Sequence, residues 1–294
     1  KAKADIFSNI SISIRIAVGF VVPIIALVIL GTISYKKSSE SLNNSYVVST
    51  TQSIESLAGY LDYCFYTVSS VTAEIMTNTD TKEYVQELKY QKGDKDYKTA
   101  VTNIDNYIKL KTTNNKLIAN VTMVPGSFPV RTTYRSAEVD GFYQELFDDP
   151  NYDFSNPQGV WISSHESVDT KLNVKPDSYA LSLYRKVGVG KGIVFVDISS
   201  EELAKIFSSL NFGEGSILGL VLPDGHELYY SETVPETNDF VGSQQFYMDM
   251  VSKDNPSGSD YVKIDGKRNL FVYSTISNGT VLFALVPEAN IIAE

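Results

Sequence analysis

The sequence GIVFVDIS, residues 192–199, combines a short apolar run with one acidic residue and leads directly into a helical pattern. An apolar run of this length, bounded by glycine and rich in β-branched residues, is typical of a buried strand. Ser199 or Ser200 is placed to cap a helix over residues 201–210, and Glu202 follows Ser199 by three residues as in a capping box. The stretch therefore predicts a buried strand followed at once by a helix.

Similar strand patterns precede this stretch. A first strand is predicted over residues 117–124, where the sequence LIANVTMV ends at a Pro125-Gly126 turn. A short helix follows over residues 142–147, and two further strands are predicted over residues 160–165 and 178–187. Together with residues 192–210, these elements predict one module of strands and helices.

A second block of the same kind begins near Gly213. Its order is strand, turn, strand, short helix and then three strands, with an Asp224-Gly225 turn and an Asp265-Gly266 hairpin. The Asp-Gly pair accepts the positive φ angles of a type I′ turn. The whole pattern predicts the α+β class, in which antiparallel sheets carry helices on one side.

Long helices precede both blocks. Residues 36 to about 91 predict an amphipathic helix. Its apolar stripe, at three- and four-residue steps, consists of Leu57, Leu61, Cys64, Phe65, Val68, Val71 and Ile75. We expect this stripe to pack against the rest of the chain or against a second copy. Gly93 and Asp94 break the pattern, and a shorter helix is predicted over residues 97–111.

The sequence IAVGFVVPIIALVILGTISY, residues 16–35, runs for twenty positions without a charge. This length is enough to cross about 30 Å of hydrocarbon as one helix. A cleaved signal peptide is the alternative, but its apolar stretch is shorter, about 7 to 15 residues. We predict a transmembrane helix, with residues 1–15 as a cytoplasmic arm and the rest of the chain outside the membrane. The numbers of basic residues on the two sides of this helix are nearly equal, so the charge bias that orients such helices is weak here.

Composition and motifs exclude several classes. The net charge of −10 would repel phosphates, so we predict no nucleic-acid partner. Cys64 is the single cysteine and leaves no intrachain disulfide. Of the two histidines, His226 lies beside a turn, and Ser163 and Ser164 adjoin His165 too closely to converge on it as a triad. Without metal spacing or a phosphate loop, we predict no enzyme, no metal and no cofactor.

Four segments together resemble the double Cache (dCache) sensor domains of bacterial chemoreceptors, the methyl-accepting chemotaxis proteins, and of sensor histidine kinases. They are the anchor with its long helix, SYALSLYRKVGVGKGIVFVDISSEEL (178–203), GLVLPDGHELYYSE (219–232) and TVLFALVPEANI (280–291). The resemblance covers nearly the whole chain after residue 15. It implies helices over residues 36–115, then two PAS-like Cache modules, membrane-distal (116–210) and membrane-proximal (211–294). It also implies a ligand in the distal module and a second transmembrane helix beyond this chain.

The resemblance also implies site residues. In members that bind amino acids, an arginine two residues before a Trp-Tyr pair holds the ligand carboxylate, and a strand aspartate holds the ammonium. Here Phe142 and Tyr143 stand at the aromatic pair, Asp197 at the aspartate and Asp140 at the arginine. Two acids with aromatic rings suit a cationic amine. The alternative for Asp197 is to cap the following helix or to bond neighbouring amides.

Four further residues are candidates for the ligand site: Trp161, Tyr179, Tyr184 and Arg131. Trp161 would form a pocket wall or pack in the core. Strand alternation sends Tyr184 and Arg185 to opposite faces, so only one of them faces a pocket. Arg131 and Arg135 could clamp a carboxylate, which keeps an amino-acid or organic-acid ligand open.

We therefore predict the ligand-sensing region of a bacterial transmembrane signalling receptor, localised at the cell membrane. A small molecule, an amine or amino-acid-like, would bind in the distal module and shift the long helix. We predict a homodimer through that helix, along the stripe from Leu57 to Ile75. The alternative is a surface adhesion or protein-interaction domain without a small-molecule ligand, and a third possibility is sensing through a binding-protein partner.

Overall fold

The first element is one long helix, α1 (Ile12–Thr77), which runs without interruption from the apolar stretch into the polar part of the chain. The computed structural model describes residues 12–86, 95–188, 190–235, 237, 239–251 and 255–292. Most of the predicted cytoplasmic arm and the predicted break at Gly93 and Asp94 lie outside these residues.

The predicted helix over residues 36 to about 91 is interrupted at Asn78. The side-chain oxygen of Asn78 accepts a hydrogen bond from the Thr81 amide (3.2 Å), which caps the next helix, α2 (Thr79–Gln86). A third helix follows, α3 (Lys95–Asn114), and it includes the predicted segment 97–111.

The N-terminal part of α1 has the length and composition of a membrane-spanning helix. Among the described residues it is the one helix that meets this test, and its most apolar window has no residue buried against the rest of the chain. Side chains such as Phe20, Leu27 and Leu30 are exposed. A helix in the core of a soluble protein would bury so apolar a stretch against the rest of the chain. The exposure of this stretch is therefore consistent with contact with lipid.

The apolar stripe of α1 packs against the chain itself. Leu57, Leu61, Phe65 and Val68 are buried in one hydrophobic core together with strands of both sheets described below. These side chains are covered within one copy, so the prediction that two copies meet along the stripe from Leu57 to Ile75 is wrong. The helix takes this position because it supplies the apolar cover that one face of each sheet needs.

The first sheet has six antiparallel strands in the order β3-β2-β1-β6-β5-β4. They are β1 (Ile118–Pro125), β2 (Val130–Thr132), β3 (Ser136–Ala137), β4 (Val160–Ile162), β5 (Tyr179–Lys186) and β6 (Gly192–Ser199). Its helices are α4 (Phe142–Asp148), α5 (Glu166–Leu172) and α6 (Ser200–Phe207), and a 3-10 turn (Pro176–Ser178) precedes β5. The strand predicted over residues 160–165 ends early, because His165 serves as the N-cap residue of α5.

The second sheet has five antiparallel strands in the order β8-β7-β11-β10-β9. They are β7 (Ile217–Val221), β8 (Glu227–Tyr229), β9 (Ser257–Ile264), β10 (Lys267–Thr275) and β11 (Val281–Pro287), with α7 (Gln245–Met250) and α8 (Glu288–Ile292). The predicted hairpin joins β9 and β10, with φ of 49° at Asp265 and 76° at Gly266. The predicted α+β class with two antiparallel sheets is confirmed.

The two faces of the first sheet differ in what covers them. On β6, Val194, Val196 and Ile198 belong to the core shared with α1. Ile193 and Phe195 belong to a separate core formed with α4 and α5. Strand alternation places Asp197 on this second face, between the sheet and its two short helices.

Candidate functional site

Asp197 is a carboxylate buried on the face of the first sheet that α4 and α5 cover. Its side chain is 1% exposed. Oδ1 accepts hydrogen bonds from Ser182 Oγ (2.8 Å) and pairs with His165 Nε2 (2.7 Å), while Oδ2 accepts from Asn120 Nδ2 (3.1 Å). Strand register explains two of these partners, because Asn120 on β1 and Ser182 on β5 lie directly opposite Asp197.

A second buried carboxylate, Asp169, lies on the other side of the same imidazole. His165 Nδ1 is 2.9 Å from Asp169 Oδ1, and the four-residue spacing on α5 brings the two side chains together. This contact is an ion pair whose geometry leaves Asp169 Oδ1 without a hydrogen-bond donor. Asp169 Oδ2 accepts from the Tyr179 hydroxyl (2.7 Å), and the Tyr179 ring stacks on the imidazole at 4.5 Å.

The two carboxylates control the charge of His165. Burial by itself lowers the pKa of the imidazole, but the charge of Asp197 and the contacts with both acids outweigh it and raise the pKa to about 10. Burial and the bond to Asp169 raise the pKa of Tyr179, which stays a neutral donor. At neutral pH the cluster thus contains one imidazolium, which lies between two buried carboxyl groups.

Aromatic side chains surround this cluster. Phe195 contacts the His165 ring edge-on at 5.3 Å, and Tyr184 lies 5.8 Å from Phe195. Phe142 and Tyr143 of α4 are buried in the same core. Lys171 of α5 pairs with Glu145 of α4 and lies over the Phe142 ring at 5.1 Å, which links the two covering helices.

An open cavity of about 700 Å³ adjoins the cluster at Asn120. Thr132 and Ser199 also line it, together with the basic side chains of Arg135 and Lys175. Asp197 and His165 do not line this cavity, so Asn120 separates the open space from the buried carboxylate. Within the described residues, no group of three or more His, Cys, Asp or Glu side chains is arranged to hold a metal ion.

No protein-family model matches the chain, and no curated protein matches its sequence. Solved structures do match. The sensory domain of the Campylobacter jejuni chemoreceptor Tlp3, with isoleucine bound, is 14% identical with a TM-score of 0.57, covering 87% of this chain and 98% of that one. The chain has the fold of a double Cache sensor domain.

Two further dCache structures illustrate the breadth of this similarity. The ligand-binding domain of the Pseudomonas fluorescens chemoreceptor CtaA, in complex with L-isoleucine, is 11% identical with a TM-score of 0.53, covering 87% of this chain and 98% of that one. The extracellular domain of soHK1S-Z6, described as a histidine kinase, is 14% identical with a TM-score of 0.57, covering 86% and 98%. At these identities the similarity concerns the fold.

The predicted site residues do not all lie in one place: some share the face of the first sheet that α4 and α5 cover, and others lie elsewhere. Asp197, Phe142, Tyr143 and Tyr184 share the face covered by α4 and α5, and Tyr179 reaches the cluster through its hydroxyl. Tyr184 is the member of the alternating pair that faces this core, and its hydroxyl accepts from the Asp153 amide at 2.7 Å.

Three predicted residues lie elsewhere. Trp161 belongs to the core on the opposite face, where its ring is 5.1 Å from Phe65 of α1. Arg131 Nε donates to Asp105 Oδ1 of α3 at 2.9 Å, and a second hydrogen bond joins the same two side chains. Asp140 is exposed in the turn before α4. The structure therefore does not bring these three side chains to Asp197.

The alternative role of Asp197 as a helix cap is not observed. Ser199 caps α6, since its hydroxyl accepts from the Glu202 amide at 3.3 Å. This agrees with the capping pattern in the sequence.

Sequence reasoning missed His165, Asp169, Ser182 and Asn120. The sequence relates His165 only to its neighbouring serines, whereas its charged partners in the structure come from α5 and from β6. The four-residue spacing of His165 and Asp169 is a usable signal once α5 is known. Ser182 lies two residues before Tyr184 on β5, so strand alternation places both side chains on the same face of the sheet.

Proposed function

We propose that this chain is the ligand-sensing region of a membrane-anchored receptor, and that its first sheet module binds a small molecule carrying a cationic amine. The supporting observation is the pair of buried carboxylates, Asp197 and Asp169, which share a single imidazolium. Buried charges are costly unless compensated, so this cluster favours an added positive charge.

The surroundings favour an amine over a free acid. Phe195 contacts the His165 ring, and Phe142 and Tyr143 belong to the same apolar core, which suits the hydrocarbon part of an amine. Arg131 already pairs with Asp105, so it is a poor candidate for a ligand carboxylate. Arg135, which lines the adjoining cavity, is the candidate for that role if the ligand is an amino acid. Tlp3 and CtaA, which share the fold, have isoleucine bound in their structures.

A binding role without catalysis fits this fold, because the solved domains that share it are sensor and ligand-binding domains. For signal relay, we propose that ligand binding shifts α1 relative to the first sheet. Trp161 and Phe65 are in contact across that interface, so a movement of the sheet would reach the helix directly.

We also propose that two copies associate through the outward face of α1, opposite its buried stripe. Tyr63 and Tyr66 are exposed there, and Gly59 has open space above it. A membrane anchor at one end of α1 would hold two copies parallel, so that the same residues face each other about a two-fold axis.

Thermal unfolding of the full chain in lipid nanodiscs tests the proposed ligand class. The probes are n-butylamine, n-butanol, butyrate and L-isoleucine, with Trp161 fluorescence as the signal. A ligand at about a hundred times its Kd adds about 2.7 kcal/mol of stability, enough to raise Tm by several degrees. We expect n-butylamine to raise Tm and n-butanol to leave it unchanged.

Two matched variants locate the effect. Asp197→Asn should abolish the n-butylamine shift, whereas Asp140→Asn should retain it because the Asp140 side chain is exposed outside the cluster. A shift with butyrate that survives Asp197→Asn would instead place binding at the arginines. Absence of any shift would favour the adhesion or protein-partner alternative.

A further inference from the structure

In the part of the chain that the structure describes, three side chains contact the buried Asp197 carboxylate. Of its three partners, Asn120 and Ser182 lie on β1 and β5, where backbone hydrogen bonds of the sheet hold them in place. His165 alone comes from a connection, between β4 and α5. An incoming ammonium therefore reaches Asp197 most readily when His165 moves away.

His165 itself resembles a bound cation. It presents one ring nitrogen to each carboxylate, at 2.7 Å and 2.9 Å, and its side chain is fully buried. Its raised pKa, about 10, keeps this imidazolium charged at neutral pH. Exchange of the imidazolium for a ligand ammonium would preserve the charge beside Asp197, whereas a neutral ligand would leave that carboxylate uncompensated.

The segment that carries His165 also contacts the second module. The Ser163 amide, two residues earlier, donates a hydrogen bond to Asp224 Oδ2 at 2.7 Å. Asp224 lies in the turn between β7 and β8, and its Oδ1 accepts from the His226 amide at 3.1 Å. One short segment thus joins the buried carboxylate of the first sheet to a turn of the second.

We propose that His165 is a specificity-determining residue. Its imidazolium occupies the ammonium position beside Asp197 until a cationic ligand replaces it. When His165 withdraws, the hydrogen bond between Ser163 and Asp224 is released. This rests on the proposed function of the same site. The site then selects cations over neutral isosteres, because only a cation compensates the vacated carboxylate. Binding and the contact between modules are coupled, since both depend on the position of residues 163–165.

Calorimetric titration of the full chain in nanodiscs with n-butylamine at pH 7.5 tests the competition. His165→Gln removes the internal cation but keeps a hydrogen-bond donor of similar length. We expect it to bind n-butylamine at least about 10-fold more tightly than the unmodified chain, in the range of typical coupling effects. If the unmodified chain binds n-butylamine and His165→Gln binds it equally or more weakly, the inference is overturned and the proposed function still stands. Absence of binding in both proteins means that the proposed amine site itself fails.

A second variant keeps the inference testable if His165→Gln does not fold. Asp224→Asn retains an oxygen for the His226 amide but replaces the other acceptor, so the bond from Ser163 is lost. Because ligand binding no longer has to break that bond, we expect affinity for n-butylamine to rise about 5-fold. Asp265→Asn, in the hairpin turn of the same module, is the matched control and should leave affinity unchanged.

Hydrogen exchange at the Ser163 amide reports the release directly. Saturating n-butylamine should accelerate its exchange in the unmodified chain, and Asp224→Asn should accelerate it without ligand. Slow exchange at Ser163 in the n-butylamine complex, together with unchanged affinity in Asp224→Asn, would overturn the coupling between modules.

Discussion

At the scale of single residues, the cluster around His165 is arranged as a charge balance. Either carboxylate alone would be costly to bury, and the imidazolium between them compensates that cost. Serine, asparagine and tyrosine donors satisfy the remaining oxygens except Asp169 Oδ1. The same cluster therefore contributes to stability, and in the proposed function it is the part of the site that selects a positive charge.

His165 predicts how stability depends on pH. Its folded-state pKa of about 10 lies above the ordinary value of 6.5, so its contribution is fully present below pH 6.5 and is lost as pH rises toward 10. We expect Tm of the full chain to fall between pH 7 and pH 9. His165→Gln should flatten this slope. A variant that keeps the slope would show that other groups cause it.

At the scale of elements, α1 has two faces with different tasks. Leu61 is fully buried in the core shared with both sheets, whereas Tyr63, half a turn away, is 67% exposed. An isolated amphipathic pattern shows which residues are apolar, and here the sheets supply the surface that buries them. Local signals set the ends of other elements, as with Ser199 at α6 and the Asp265-Gly266 turn.

The two faces of α1 predict opposite responses to truncation. Leu61→Ala leaves a cavity in the core and should lower the free energy of unfolding by about 2 to 5 kcal/mol. In nanodiscs that hold a single copy, Tyr63→Ala removes an exposed ring and should change the free energy of unfolding by less than about 0.5 kcal/mol. Thermal unfolding by Trp161 fluorescence measures both, because that tryptophan packs beside α1. Comparable losses in the two variants would contradict the assignment of faces.

At the scale of the whole molecule, one helix, α1, connects the apolar N-terminal segment to both modules. Polar contacts along α1 secure the second module: Asp62 Oδ1 accepts from the Ser277 amide at 3.1 Å, and the Tyr261 hydroxyl donates to Asn43 at 2.6 Å. Apolar contacts secure the first module through Phe65. A shift of α1 would therefore be felt by both modules, and two copies joined along its outward face would share it.

Disulfide cross-linking in membranes tests the proposed association. In a Cys64→Ala background, which removes the single native cysteine, Tyr63→Cys should form a cross-linked dimer on mild oxidation. Tyr134→Cys is the control, since Tyr134 is 77% exposed on the turn between β2 and β3 of the first module and is not part of α1. Equal cross-linking at both positions, or at neither, would argue against a dimer through this face.

Much of the fold follows from local signals in the sequence. Strand periodicity, the Asp-Gly hairpin, the Ser199 cap and the long apolar helix each depend on residues close together in the chain. The candidate site follows only in part. Asp197, Phe142, Tyr143 and Tyr184 were identified, but Trp161 and Arg131 face the other side of the sheet. Strand alternation shows that neighbouring residues of one strand point to opposite faces of the sheet. It does not show which of the two faces is covered by α4 and α5.

The sequence by itself determined most of the helices and strands, the α+β class, the membrane-compatible helix and the acidic residue on β6, but it did not predict β2, β3 or α5. The tertiary structure alone decided that the α1 stripe is buried within one copy and that His165 lies between Asp197 and Asp169. Those two carboxylates are on different elements, and the register of β1, β5 and β6 brings their other partners together. The physical reason is that charge compensation in a buried site depends on distances of a few ångströms between residues far apart in the chain, and only packing sets those distances.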